Sequence, residues 1–521
     1  MYISLKPTDY IMLRVSIIGL ILLHFFSCFT TQKERPNIII IMADDLGYGE
    51  IGVYGQNIIE TPHLDSIASQ GIVFNQFYSG APVCAPARCI LLTGLHSGHA
   101  QVRGNDELDH RGDVWSYPAM IKDSSLEGQA PMSAKTVTIA HLLQEAGYKT
   151  SLFGKWGLGY PGSVSTPNSM GFDHFVGYNC QRQAHTLTPV HLWHNDYKIS
   201  LTNDTTAPRT KLPDDADPYD LDSYQLYDQP DYAPAIIFDS LLSHLDSKRE
   251  EPFALFWETP IPHVPLQAPS EWINYYVDKL GQEEPYLGDK GYFPCRYPKA
   301  TYAAMISYFD YNVGRLVTYL KRNNLYHNTL ILITSDNGPT YAGGVDPDYF
   351  NSAGPFMQHY GRGKGFLHEG GIRVPLIASW PQGIPKPKTT NHIASSQDIY
   401  PTVAQAAGIN LGDQDIDGIS FYQTLVGQES QQQAHDYLYW EFPEYGGQRA
   451  IRVGPYKILQ KDIHKGNMHG ALYDLSKDIS EQKDISTEHQ DIVMWADSIF
   501  QLEHVKSSNR KWQYSLIDDI Q

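Results

Sequence analysis

Short apolar runs of strand length, alternating with amphipathic helical stretches, constrain this chain more than any other feature. The first run, Ile38 to Met42, is four isoleucines and a methionine, so both faces of such a strand would be buried, as in a parallel sheet. A helix over Pro62 to Gln70, closed by Gly71, follows, and Ile72 to Tyr78 is again strand-like. Thr138 to Ala146 places Ile139, Leu142, Leu143 and Ala146 on one helical face and leads into a strand over Thr150 to Phe153. Ile236 to Leu245 precedes the strand Phe253 to Trp257, and a long helix from about Tyr302 to Leu320 precedes Leu330 to Thr334. This alternation predicts an α/β fold with a large, mainly parallel central sheet flanked by helices.

After about residue 425 the pattern changes. Tyr437 to Phe442, Arg449 to Val453, Tyr456 to Gln460 and Ala471 to Leu475 read as short antiparallel strands joined by turns, and a helix over about His489 to His504 follows. The expected organisation is a catalytic domain over 33–425 and a smaller C-terminal α+β domain with an antiparallel sheet over 426–521. Residues 15 to 26 form an apolar run behind Arg14, too short to span a bilayer and fitting the h-region of a signal peptide over residues 1–27. Met12 is an alternative start. Ser27-Cys28 has the look of a lipoprotein cleavage site, so Cys28 is a candidate for lipidation, and the expected location is periplasmic, outer-membrane-tethered or secreted.

A formal charge of −19, from 39 basic and 58 acidic side chains, argues against a nucleic-acid or anionic-membrane binder. Membrane contact is expected only through the lipid. An anionic substrate would need a local basic pocket. Five cysteines, at 28, 84, 89, 180 and 295, are too few for a disulfide scaffold. At most one bridge is open to Cys89, Cys180 and Cys295.

Chemistry-bearing residues gather at predicted strand ends. Asp44-Asp45 follows the first strand and Asp336-Asn337-Gly338 follows Leu330 to Thr334. In an open α/β sheet ligands bind beyond the carboxyl ends of strands, so these tips can meet in one crevice. Three carboxylates and an amide oxygen suit a hard cation, Ca²⁺ or Mg²⁺, better than zinc. Lys155 ends its strand, His263 sits in Pro-His-Val-Pro, and Lys364 lies in Gly361-Arg-Gly-Lys-Gly. With Arg88 they would form a positive pocket for an anion. Residues 84 to 94 read Cys-Ala-Pro-Ala-Arg-Cys-Ile-Leu-Leu-Thr-Gly.

That stretch resembles the signature at which sulfatases convert cysteine to formylglycine. With residues 35 to 47, 154 to 159, 335 to 338 and 369 to 375 it occurs in the order found in formylglycine-dependent (type I) sulfatases of the alkaline phosphatase superfamily, especially bacterial polysaccharide-desulfating members. The resemblance implies Cys84, as formylglycine, as the nucleophile, made by a formylglycine-generating enzyme before folding. It implies Asp44, Asp45, Asp336 and Asn337 as ligands of one Ca²⁺ (Mg²⁺ less favoured), completed by residue 84. Arg88 would steady the formylglycine, and Lys155, His263 and Lys364 would bind sulfate or the leaving oxygen.

One position departs from the family. Where members usually read Gly-Lys-Trp-His, this chain has Gly157, which leaves a proton acceptor unassigned. His185 is the expected substitute, and Arg103, Asn105 and His185 are the expected substrate contacts. The resulting reading is hydrolysis of sulfate esters on a sulfated polysaccharide or oligosaccharide of ulvan, carrageenan or glycosaminoglycan type. Loops 103 to 133, 160 to 230 and 340 to 360 would choose among them. Its rivals are a phosphomonoester or phosphodiester hydrolase of the same superfamily and a sulfated-glycan binding protein without catalysis.

Overall fold

The computed structural model describes residues 35–247 and 251–519. The signal segment and Cys28 lie outside them. Among the described residues no helix is long and apolar enough to cross a membrane.

Ten strands form the main sheet. At its centre Thr329–Ser335, Asn37–Asp44, Phe253–Pro262, Lys149–Lys155 and His174–Tyr178 run parallel, in that spatial order. The isoleucine run explains this arrangement. Ile38, Ile40 and Met42 enter one buried cluster with the helices Cys84–Thr93 and Ile139–Glu145. Ile39, Ile41 and Ala43 enter another with Pro62–Gln70, Ala233–Ser247 and Pro298–Arg322. A period of two with both faces apolar therefore places the strand between two helical layers.

The expected strands and helices are present, most of them a residue or a few longer than their apolar patterns. The edges depart from the sequence reading. Ile72 to Tyr78 splits into Ile72–Phe74 in the main sheet and Phe77–Tyr78, which pairs with Ala394–Ser395. Leu376–Ser379 enters antiparallel between Thr329–Ser335 and Ile72–Phe74, and His191–His194 and Tyr197–Ser200 form an antiparallel hairpin at the far edge.

The second sheet is antiparallel, ordered Leu438–Phe442, Gln448–Val453, Tyr456–Lys461 and Gly470–Asp474, and is followed by the helix Gln490–Leu502. It is tied to the main body by buried polar contacts. Trp440 Nε1 donates to Ser79 O at 2.9 Å, and Lys457 Nζ lies 3.0 Å from both Glu369 and Glu481. Cys84, Cys89, Cys180 and Cys295 are all buried free thiols, so none of the three candidates for a bridge has formed one.

Candidate active site

The register of the central strands brings the acidic tips together. Asn37–Asp44 and Thr329–Ser335 are adjacent and in parallel register up to Ala43 and Ser335, so Asp44-Asp45 and Asp336-Asn337 leave the sheet side by side. Asp45 turns with φ 70°, and its backbone N–H donates to Asp336 Oδ1 at 3.1 Å. Lys149–Lys155 delivers Lys155 to the same edge, and the segment after Phe253–Pro262 delivers His263.

Cys84 arrives on a helix rather than at a strand end. The helix begins at Cys84 itself, after an extended Val83. Pro86 fits there because a proline lacks an N–H that the first turn could not have bonded internally. The free N–H of Ala85 donates to Asn105 Oδ1 at 3.0 Å, so Asn105 caps this helix beside the cysteine. Residue 84 thus sits at the positive end of the helix dipole.

Around it every cation faces a carboxylate. Lys155 Nζ is 2.5 Å from Asp44 Oδ2, and Lys364 Nζ is 2.6 Å from Asp45 Oδ1 and 3.8 Å from Cys84 Sγ. Arg88 NH2 donates to Asp336 Oδ2 at 3.2 Å and to Asp44 Oδ2 at 3.5 Å, while its Nε lies 2.9 Å from Glu258 Oε2. Cys84 Sγ is 3.2 Å from Asp44 Oδ1, and His263 Nε2 is 3.8 Å from Asp45 Oδ2. Burial works against the charge on Asp44, but Lys155, then His263, Arg88 and Lys364, outweigh it and hold the carboxyl well below the usual range. Asp336 goes the other way, pushed up to about 8 by burial and then by Asp44. Burial also pushes the Cys84 thiol far above the ordinary cysteine value, and Asp44 adds to this. An unmodified Cys84 is therefore a protonated thiol and a poor nucleophile.

The donor set fits a hard divalent cation. Asp44, Asp45, Cys84 and His263 bring potential ligand atoms within 4.8 Å of one another, and Asp336 borders them. Asn337 supplies the most specific sign. Its Nδ2 donates to Asp45 Oδ1 at 2.7 Å, while its Oδ1 is buried without any hydrogen-bond partner. A buried carbonyl oxygen left unpaired beside three carboxylates is accounted for by a cation that it would ligate.

His185 joins this group. Its ring stacks on His263, with centroids 5.3 Å apart and planes at 10°, and both rings meet Tyr292 edge to face. Burial, then the cost of charging a second ring beside His263 and the charges of Lys155, Lys364 and Arg209, keep His185 neutral. His263 is also held neutral, by burial and then Lys364, and its Nδ1–H donates to Val264 O, leaving the Nε2 lone pair toward the site. Lys364 stays charged: burial opposes the ammonium, but Asp45 raises its pKa well above the ordinary value.

Gly157 has a physical reason for lacking a side chain. Its φ is 71°, and a Cβ there would lie 2.7 Å from Gln181 Cγ. Gln181 Nε2 donates to Asn105 Oδ1 at 3.2 Å, so a glutamine stands beside residue 157 and is tied to the cap of the Cys84 helix.

Arg103 needs correction. Expected to contact substrate, it is buried, its Nε and NH2 bonded to the carbonyls of Ala100 and Gly98 and its NH1 paired with Glu441. Its donors fasten a loop to the second sheet. Glu258, Tyr292 and Gln181 escaped the sequence reading. Only Glu258 left a signal there, as a charge directly after the apolar run Phe253 to Trp257.

Buried cations, a neutral histidine pair and a cysteine at a helix N-terminus, on an alkaline phosphatase-like sheet, fit a hydrolase for esters of tetrahedral oxyanions. Comparison with known proteins narrows the class. The sulfatase family model matches residues 36–409, and the model "N-sulphoglucosamine sulphohydrolase, C-terminal" matches residues 358–507. Human arylsulfatase A is 29% identical over 474 residues, covering 86% of this chain and 82% of that protein. Among solved structures, Ps i-CgsB matches with a TM-score of 0.69 at 25% identity, over 94% of this chain and 96% of its own. The phosphonate monoester hydrolase of Agrobacterium radiobacter shares the fold, with a TM-score of 0.59 at 20% identity over 90% and 95% of the two chains. The chain belongs to the sulfatase family, and it is a sulfuric ester hydrolase.

Proposed function

We propose that residue 84, oxidised from cysteine to formylglycine by a formylglycine-generating enzyme, is the nucleophile with which this sulfatase removes sulfate from a sulfated polysaccharide or oligosaccharide of ulvan, carrageenan or glycosaminoglycan type. The observation that carries this is the setting of Cys84: a thiol kept protonated by burial, at a helix N-terminus, ringed by Arg88, Lys155 and Lys364. Burial and Asp44 keep the thiol protonated against the pull of the lysines and the helix dipole, and those same positive groups favour an oxygen nucleophile approaching an anion.

Asp44, Asp45, Asp336 and Asn337, with residue 84, would hold Ca²⁺, which when bound supplies electrostatic stabilisation of the transferred group. Arg88 fixes the hydrated aldehyde, and Lys155 neutralises the sulfate oxygens. One hydroxyl of the hydrate gives its proton to a neighbouring carboxylate, Asp44 or Asp336, and attacks sulfur; the sulfur–oxygen ester bond breaks, and the leaving oxygen takes a proton. Lys364 is suited to give it, because Lys364 is charged where His263 is neutral; His263 accepts a hydrogen bond through Nε2. Loss of a proton from the second hydroxyl then expels sulfate and restores the aldehyde. His185, neutral and stacked on His263, takes that proton in place of the histidine that Gly157 lacks.

The likeness to i-CgsB, also solved in complex with k-i-k-neocarrahexaose, supports a polysaccharide substrate. The run at residues 15–26 supports export, with Cys28 as the lipid attachment site, and the change of pattern near residue 425 supports a division into domains 33–425 and 426–521. Since the fold is shared with a phosphonate monoester hydrolase, the reacting group is decided by assay. Protein co-expressed with a formylglycine-generating enzyme should release sulfate from defined sulfated oligosaccharides and cleave an aryl sulfate well above the matching aryl phosphate. Preference for the phosphate would overturn the reading.

A further inference from the structure

The charged groups around residue 84 reach solvent mainly at one place. The side chains of Arg88, Lys155, Asp44, Asp45 and Asp336 are at most 1% exposed, whereas that of Lys364 is 15% exposed. A side chain standing beside Lys364 therefore meets the part of a substrate that extends beyond its sulfate ester.

A hairpin of the second sheet stands there. The connection between Leu438–Phe442 and Gln448–Val453 contains Glu444-Tyr445-Gly446-Gly447, and Tyr445 has a left-handed φ of 53°. Such a backbone is uncommon for a bulky residue and persists where the surroundings hold it. On one side Glu444 Oε1 accepts from the backbone N–H of Asn105 at 3.0 Å, and Asn105 caps the Cys84 helix. On the other, a Cβ on Gly365 would lie 3.0 Å from Tyr445 Cε1, so the tyrosine ring covers the residue next to Lys364, whose Nζ is 3.8 Å from Cys84 Sγ. Gly365 is itself fixed, its N–H donating to Pro82 O at 2.9 Å and its carbonyl accepting from Gln448 Nε2 at 2.9 Å. The tip is fastened from its own sheet by His464 N, which donates to Gly446 O at 3.0 Å, and by Ile463 N, which donates to Gly447 O at 3.2 Å. One rigid tip thus bridges the segment that caps the nucleophile helix and the segment that carries Lys364.

The Tyr445 ring is 50% exposed. Phe366 and Phe442 hold it, each with its centroid 5.7 Å away. Phe366 also meets Tyr360 edge to face at 5.4 Å, and Tyr360, 69% exposed, meets Tyr341 at 5.2 Å. A row of rings therefore runs from Tyr445 along the loop that carries Lys364. Tyr445 lies outside the loops 103 to 133, 160 to 230 and 340 to 360 from which substrate choice was expected, and only the fold brings it to the site.

We propose that Tyr445 is a sugar-stacking subsite: the pyranose ring next to the sulfated one lies on its exposed ring, so the unit recognised is at least a disaccharide and the second sheet takes part in choosing it. This rests on the reading of the pocket as a glycan sulfate-ester site. Sugar rings carry apolar C–H faces between their hydroxyls, and a tyrosine offers them a rigid, amphipathic surface with little side-chain entropy to lose.

The test uses tetrasaccharides of ulvan, carrageenan and chondroitin sulfate, the sulfated monosaccharide cut from each, and 4-nitrophenyl sulfate. Matured wild-type protein is expected to favour at least one tetrasaccharide over its monosaccharide in kcat/KM. Tyr445→Asn, which suits a left-handed position but has no ring, should lower that ratio about tenfold, as for about 55 Å² of apolar surface left in water. Tyr445→Phe keeps the ring and should keep the ratio. No preference in the wild type, a preference that survives Tyr445→Asn, or one lost equally in Tyr445→Phe would overturn the proposal. Hydrolysis of 4-nitrophenyl sulfate with no sugar cleaved would refute the glycan reading, and the proposal with it. If even 4-nitrophenyl sulfate is not hydrolysed, the account of residue 84 fails, while titration of the same sugars into Cys84→Ala protein, with and without Tyr445→Asn, still decides Tyr445 from the ratio of dissociation constants.

Discussion

Replacing Gly157 with histidine, the residue usual in this family, should destabilise the protein without improving catalysis. The backbone at 157 has φ of 71°, where any residue with a Cβ costs about 1 kcal/mol relative to glycine. The new Cβ would also stand 2.7 Å from Gln181 Cγ and 3.1 Å from its Cδ and Nε2. Gln181 must then move and give up its 3.2 Å hydrogen bond to Asn105, a loss of about 0.5–1.5 kcal/mol. Together the two effects predict a loss of about 1.5–2.5 kcal/mol for Gly157→His and nearly as much for Gly157→Ala. Removing the obstacle should recover part of it, so Gly157→Ala in a Gln181→Ala background should cost only the backbone share, about 1 kcal/mol. Urea midpoints of wild type, Gly157→His, Gly157→Ala, Gln181→Ala and the double variant, measured with initial rates of sulfate release, give both quantities. If Gly157→His kept its stability and turned over faster than wild type, an imidazole would fit at 157 unaided, and the account of Gln181 and His185 would be wrong.

Three further outcomes follow from the same geometry. Lys155→Met removes one partner of a buried pair 2.5 Å apart and should lower stability by about 3–5 kcal/mol, read from denaturant midpoints; a loss under 1 kcal/mol would mean that Asp44 is not left unpaired. Prolonged chelation should lower both the unfolding temperature and sulfate release, with calcium restoring both better than magnesium; full activity in protein shown metal-free by elemental analysis would exclude the cation. Away from the site, His99 Nδ1 and Asp417 Oδ1 are 2.9 Å apart, and the bond to Asp417 raises His99 although burial opposes it. A raised histidine stabilises the fold fully below its unfolded pKa of about 6.5 and loses that effect as pH rises through the folded value. The stability gap between wild type and His99→Gln should therefore be largest near pH 6 and narrow by pH 8, and a gap that widens would reverse the assignment.

The central sheet was legible because its strands are buried on both faces. A run such as Ile38 to Met42 has no polar residue to blur its period, and the acidic residues that end it and its neighbour are marked by the abrupt change from isoleucine to aspartate. The sheet edges were legible only in part: Ile72 to Tyr78 read as one strand where the chain forms two, and Leu376–Ser379 is too short for any period to stand out. Within the site, Asp44, Asp45, Asp336, Asn337 and Lys155 could be placed by the rule that ligands sit beyond strand ends. Arg103 could not, because its partner Glu441 lies 338 residues away on the second sheet. Glu258, Gln181 and Tyr292 become functional only through neighbours distant in sequence. The left-handed turn at Tyr445 goes unseen for another reason, since nothing in a residue's identity announces a positive φ when the residue is not glycine.

Peptide mass spectrometry across residues 84 to 94 of catalytically active protein tests the central claim most directly. The account predicts that residue 84 carries the aldehyde or its hydrate, and that the fraction so modified tracks sulfate release across preparations made with and without a formylglycine-generating enzyme. Full sulfatase activity from protein whose Cys84 is entirely an unmodified thiol would contradict it.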